Sequence, residues 1–188
     1  MINNWSQDLF VKAWDFATLA HEGQTYGGPE AGQRIPYLNH IGSVAMEVVW
    51  AISMKQHYDG NLAIQCALLH DVIEDTPHSH EDISAMFGQK IADGVLALSK
   101  NPKLPTKQEQ MQDSLLRIRA QPKEIWMVKM ADRITNLSAP PYYWENDKKI
   151  AYRAEARIIH DALHPANDDL AKRLQQKISG YAAYISDI

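Results

Sequence analysis

The sequence predicts an all-α protein, one domain spanning residues 1–188, on three observations. Apolar residues recur at intervals of three and four along most of the chain. Helix caps and breakers fall between those stretches rather than inside them. Runs that alternate every second residue, the mark of strands, have little support. A chain of 188 residues can bury one proper core and is short for two.

The elements follow in order. Ser6 or Asp8 can cap a first helix whose apolar positions Leu9, Phe10, Ala13, Trp14 and Ala17 share a face, ending near His21-Glu22-Gly23. Gly27 to Gly32 is a loop by its turn residues. A second helix covers roughly Leu38 to Lys55, and a third, strongly apolar one runs from about Leu62 to Asp75 before Pro77. Ser79 caps a short helix that Gly88 closes. Further helices are expected at about 89–99, 107–120 and 123–137, the last with Pro122 in its first turn. Pro140-Pro141 breaks the chain, and two long helices follow at about 146–163 and 166–185, separated by Pro165. The assembly is a helical bundle.

Composition narrows the partners. With 45% hydrophobic and 22% charged residues the chain is ordinary globular protein rather than disordered. A net charge of −4 gives no general reason to expect nucleic acid or an acidic membrane. A polyanionic small molecule would need local charge from a metal or a few Lys and Arg. The single cysteine, Cys66, sits in an apolar run and reads as a core residue. The N-terminus lacks the order of a secretion signal, and no stretch has the ~18 apolar residues of a membrane span, so a cytoplasmic protein is expected.

The chemistry concentrates in Leu68-Leu69-His70-Asp71-Val72-Ile73-Glu74-Asp75-Thr76. A His-Asp pair alone means little, and His160-Asp161 is a second one. Here, though, four polar groups follow a wholly apolar run. Glu74 lies four residues after His70 and three after Asp71, so on one continuous helix the three converge on one side. Either a divalent cation neutralises them, or they end the helix in solvent. Two other segments supply matching groups. Lys129 to Asn136 puts Asp132 and Asn136 one turn apart on another largely apolar helix, and Pro36 to His40 puts a histidine at the start of the second. A His, His-Asp and Asp set with positions left for water suits Mn²⁺, Fe²⁺ or Zn²⁺ in an open site.

These motifs resemble the HD-domain hydrolases of the stringent response, the hydrolase half of RelA/SpoT-type proteins and the free-standing small alarmone hydrolases. The matching segments are Ala20 to Gln24, Pro36 to His40, Ala67 to Thr76, Phe87-Gly88 and Lys129 to Asn136, in the family's order over roughly residues 8–160. The resemblance implies that His40, His70, Asp71 and Asp132 ligate a metal, usually Mn²⁺, and that Glu74 and Asp75 position and deprotonate the attacking water. It implies nucleotide contact by Asn136, and by Lys148 and Tyr152 through the Trp144-x3-Lys148-x3-Tyr152 spacing. Lys107 matches a phosphate-binding lysine. The implied reaction removes the 3′-pyrophosphate from guanosine tetra- or pentaphosphate, leaving GDP or GTP.

One segment departs from the family. Where a basic pair usually follows Gly-Gln, this chain has Thr25-Tyr26, and His40 arrives after a longer loop whose one basic residue is Arg34. The missing charges commonly help hold the guanine nucleotide. They motivate an alternative: a phosphatase acting on another phosphorylated nucleotide, such as NADPH.

Plainer roles compete for several residues. Tyr37, Trp144 and Tyr152 can be packing aromatics, Lys148 a solvated charge, and Arg133 a structural ion-pair partner. His160 and His164 stand four apart but end a helix with no second carboxylate cluster, which makes them a decoy. His78 and His80 read as exposed, and His21 as a supporting residue. A binding module without catalysis would have lost a ligand or Glu74, and none is lost.

Overall fold

The computed structural model describes residues 4–186 except Met54 and Gln56. Ser6 does cap the first helix, accepting a hydrogen bond from the Leu9 amide, and α1 spans Gln7–Ala20. Gly23, at φ +73°, then turns the chain as only glycine does cheaply. α2 (Leu38–Ser53) buries Ile41, Val44, Ala45, Val48 and Ile52 on one face; its expected continuation to Lys55 crosses Met54, outside the described residues.

Between α1 and α2 the expected loop is partly a hairpin. β1 (Thr25–Gly27) pairs antiparallel with β2 (Arg34–Pro36), Tyr26 opposite Ile35. Three-residue strands carry no readable alternation, and tertiary contacts support this pair. The Tyr142 amide donates to the Gly28 carbonyl, and Tyr143 packs so close to Gly27 that a Cβ there would lie 2.8 Å from its ring.

The third helix is not continuous. α3 (Gly60–Leu69) is buried on every side from Leu62 to Leu69, which puts it at the centre of the bundle, against α1 and α2. The chain then turns at His70-Asp71 and resumes as the single turn α4 (Val72–Asp75). α5 (His80–Phe87) starts in a capping box, the Ser79 side chain and Asp82 serving each other's backbone, and Gly88 at φ +89° leads into α6 (Gln89–Leu98). α7 (Lys107–Arg119) has a second capping box at Thr106 and Glu109. α8 (Lys123–Asn136), with Pro122 just outside its first turn, is the other central helix and packs on α2 and α3. α9 (Asn146–Leu163) and α10 (Asp168–Gly180) close the bundle, and a 3₁₀ turn at Tyr181–Tyr184 replaces the expected end of the last helix.

Cys66 is fully buried, as expected of a core residue. No helix among the described residues is long and apolar enough to cross a membrane.

Candidate active site

The turn at His70-Asp71 makes the site. On a regular helix consecutive side chains point about 100° apart and do not face each other. With the helix interrupted, His70 Nε2 and Asp71 Oδ2 stand 3.0 Å apart. The His70 Nδ1–H donates to the Ala67 carbonyl, 2.8 Å away, which leaves the Nε2 lone pair of the neutral ring facing inward. His40, from the first turn of α2, brings its Nε2 to 3.2 Å from that of His70 and to 3.6 Å from Asp71 Oδ2. Asp132, from α8, places Oδ1 3.5 Å from His40 Nε2.

Those separations can be tested against a cation. Ligand atoms about 2.1 Å from one ion lie about 3.0 Å apart at cis octahedral positions and about 3.4 Å apart at tetrahedral ones. The observed 3.0–3.6 Å brackets both. Two imidazole nitrogens and two carboxylates also form a donor set that a divalent ion completes. The residues fit a metal. His40, His70 and Asp132 are, moreover, the one group of three metal-capable side chains clustered this closely among the described residues. His160 and His164 stack on each other, and neither belongs to such a group among the described residues.

Electrostatics without the ion show how much charge is concentrated here. Burial disfavours the charged His70 ring, yet the Asp71 carboxylate and its hydrogen bond, with Asp132 behind, lift its pKa to about 9. Burial likewise penalises Asp132, but Lys129, His70 and His40 hold it down at about 2. Asp71 stays well below the carboxylate range, its desolvation outweighed by the two histidines. Asp75 moves the other way, raised by burial and by the charges of Asp71 and Glu74.

A surrounding layer orients these groups. The Tyr37 hydroxyl donates to Asp71 Oδ2 and reaches Asp75 Oδ2 at 3.3 Å. Lys129 Nζ bonds Asp132 Oδ2 at 2.9 Å, and the Asn136 amide serves Oδ1 of the same carboxylate. His21 packs its ring on Tyr37, 5.0 Å between centroids, and holds Gln24, whose amide binds the Asp75 carbonyl.

Asp71 and Asp132 line a cavity of about 570 Å³, and so do Glu74, Asp75, Asn136, Lys107, Lys148 and Tyr152. His40 and His70 do not line this cavity; they meet Asp71 and Asp132 beside it. The groove between α2 and α10 has nearly the same volume, about 560 Å³, without these groups, so the donor chemistry and not the size identifies the site.

Three details differ from the sequence reading. The helix is interrupted between His70 and Glu74, and the Glu74 carboxylate accepts from the Lys100 amide and Nζ at 2.8 and 2.7 Å. Tyr37, readable as packing, makes a polar contact to Asp71. His80 is half-buried and paired with Asp93 at 2.8 Å, and His78 packs on Phe16, so neither is fully exposed. Arg133, as expected, is structural: it pairs with Glu155 at 3.4 Å and lies over the Tyr152 ring. Lys100 has one signal in the sequence, a basic residue just past an expected helix end.

A helical bundle that brings His, His-Asp and Asp together beside an acid- and lysine-lined cavity is a metal-dependent hydrolase by class. The chain belongs to the HD domain family, whose model matches residues 13–177. It is similar to the Drosophila melanogaster guanosine-3′,5′-bis(diphosphate) 3′-pyrophosphohydrolase MESH1, 26% identical over 89% of this chain and 91% of that one. It is also 37% identical to the Escherichia coli bifunctional (p)ppGpp synthase/hydrolase SpoT, over 67% of this chain and 17% of SpoT. Among solved structures, a metazoan ortholog of SpoT described as hydrolysing ppGpp superposes with a TM-score of 0.79 at 25% identity, covering 94% of this chain and 97% of its own.

Proposed function

We propose that this protein is a guanosine 3′,5′-bis(diphosphate) 3′-pyrophosphohydrolase acting on guanosine tetra- or pentaphosphate in the cytoplasm. The observation that carries the proposal is the cluster of His40, His70 and Asp132, with Asp71 Oδ2 3.0 and 3.6 Å from the two histidines, beside the cavity that Asp71 and Asp132 line. Their mixed imidazole and carboxylate set suits a divalent ion, Mn²⁺ in this reading, which when bound supplies Lewis acidity and a water of lowered pKa.

The chain's own residues do the rest. Glu74 and Asp75 stand on α4 beside the ligands, placed to orient water and accept its proton. The water oxygen bonds the phosphorus attached to the 3′ oxygen, the bond from phosphorus to that oxygen breaks, and the 3′ hydroxyl takes up a proton as pyrophosphate departs. Lys107 and Lys148 make no ion pair among the described residues, although both line the cavity. Two uncommitted ammonium groups are suited to the phosphates. Lys148 rests over the Trp144 ring, 4.1 Å from its centroid, which orients it without neutralising it. Asn136 and Tyr152 complete the nucleotide side, Asn136 while also holding Asp132.

The names of the similar proteins support this substrate over the alternative. The test is direct: purified protein with Mn²⁺ should release pyrophosphate from guanosine tetraphosphate, and Asp132→Asn should not. No release refutes the substrate. Orthophosphate from NADPH or another nucleotide in its place would establish the phosphatase reading instead.

A further inference from the structure

Glu74 is held by a single residue at both carboxylate oxygens. The Lys100 main-chain N–H donates to Oε2 at 2.8 Å, and its Nζ donates to Oε1 at 2.7 Å. A donor on each oxygen restricts rotation of the carboxylate more than one contact would. The main-chain donor is itself anchored. Lys100 follows the end of α6, where the Arg117 guanidinium from α7 donates to the carbonyls of Leu96, Ala97 and Ser99 while Asp113 holds its Nε. One arginine thus satisfies the last carbonyls of α6 and fixes the point from which Lys100 reaches across.

A second cavity gives this arrangement a purpose. A space of about 540 Å³, lined by Ile73, Leu96, Pro102 and Arg117, lies alongside the candidate active site. Glu74, Lys100 and Gln110 line both spaces, so the Glu74–Lys100 pair forms part of the wall between them. Without the Nζ contact, Glu74 has room to swing into the flanking space, away from the attacking water. The Lys100 side chain is 46% exposed and that of Glu74 23%, so the charge pair itself contributes only modestly to stability.

We infer that Lys100 is a positioning residue for the reaction: with Arg117 behind it, it holds Glu74 on the catalytic side of the wall. The inference rests on the function proposed above, in which Glu74 accepts the water's proton.

The experiment measures steady-state hydrolysis of guanosine tetraphosphate by the Mn²⁺-loaded protein, comparing wild type with Lys100→Met and, as a second neutral variant, Lys100→Gln. A misplaced catalytic group costs on the order of tenfold or more, so kcat should fall about tenfold while KM stays within about twofold. Bound Mn²⁺ should not change, Tm should change little, and Lys100→Arg should restore most of kcat. In a Glu74→Gln background the same Lys100→Met change should cost less than about twofold, because the group it positions is already gone. An unchanged kcat overturns the inference. So does a rise in KM alone, which would make Lys100 a substrate ligand, or a full extra loss on top of Glu74→Gln. Full activity of Glu74→Gln would instead refute the base in the proposed function. An inactive Glu74→Gln beside an unimpaired Lys100→Met refutes only the role of Lys100.

Discussion

Replacing Tyr37 by Phe deletes one hydroxyl and keeps the ring that packs between His21 and His40, with centroids 5.0 and 5.4 Å away. The hydroxyl donates to Asp71 Oδ2, the oxygen that also faces His40 and His70. A hydrogen bond to a charged acceptor contributes about 1.5–3 kcal/mol. Mutations in the layer behind metal ligands weaken metal binding by about 10- to 100-fold, and loss of this hydroxyl should fall in that range. The assay is a titration of metal-stripped protein with Mn²⁺, reading free ion by electron paramagnetic resonance. Tyr37→Phe should show the weaker Kd, with a lower Tm in the metal-free state because the same hydrogen bond is made there. A Kd within about twofold of wild type would refute the argument that Tyr37 orients Asp71 for the ion.

Two further expectations concern the scaffold. Gly94 lets α6 press against α3 and α8: a Cβ there would meet Ile125 Cδ1 at 2.6 Å and Cys66 Sγ at 2.9 Å. Gly94→Ala should therefore cost about 1–2 kcal/mol, overpacking outweighing the better helix propensity, and calorimetry should show a lower Tm. Asp59 caps α3 through the Leu62 amide and pairs with Lys90 at 2.8 Å, and these bonds lower its pKa despite the opposing effect of partial burial. Asp59→Ala should cost about 1 kcal/mol at neutral pH. Because the folded pKa lies below the unfolded one, the wild-type advantage is complete above about pH 4 and vanishes as pH falls through the folded value. Denaturant titrations of both proteins down the acid range should converge, and a gap that widened would contradict the assignment.

Much of this architecture was legible in the sequence because it is local. Ser6, Ser79, Gly88 and Thr106 mark helix ends by their own chemistry, and each helix between them has an apolar face at helical spacing. The candidate metal set was legible because His40, His70, Asp71 and Asp132 are polar residues beside or within apolar helical runs, and the resemblance to a known family suggested their roles. What the sequence hid depends on distant partners. Nothing between Leu62 and Asp75 breaks a helix, so the turn at Asp71 is a product of packing, and with it the pairing of Glu74 to Lys100 across 26 positions. The hairpin at 25–36 depends on Tyr142 and Tyr143, more than a hundred residues away. Tyr37 has the same letter whether it packs or donates, and only its distance to Asp71 tells which.

The central claim is that four side chains from three parts of the chain grip one divalent ion. A crystal grown with Mn²⁺, measured at the manganese absorption edge, tests it most directly. One anomalous peak within bonding distance of His40 Nε2, His70 Nε2 and a carboxylate oxygen each of Asp71 and Asp132 is the predicted result. A peak between His160 and His164 instead, or four side chains turned away from one another with no peak among them, would contradict the account.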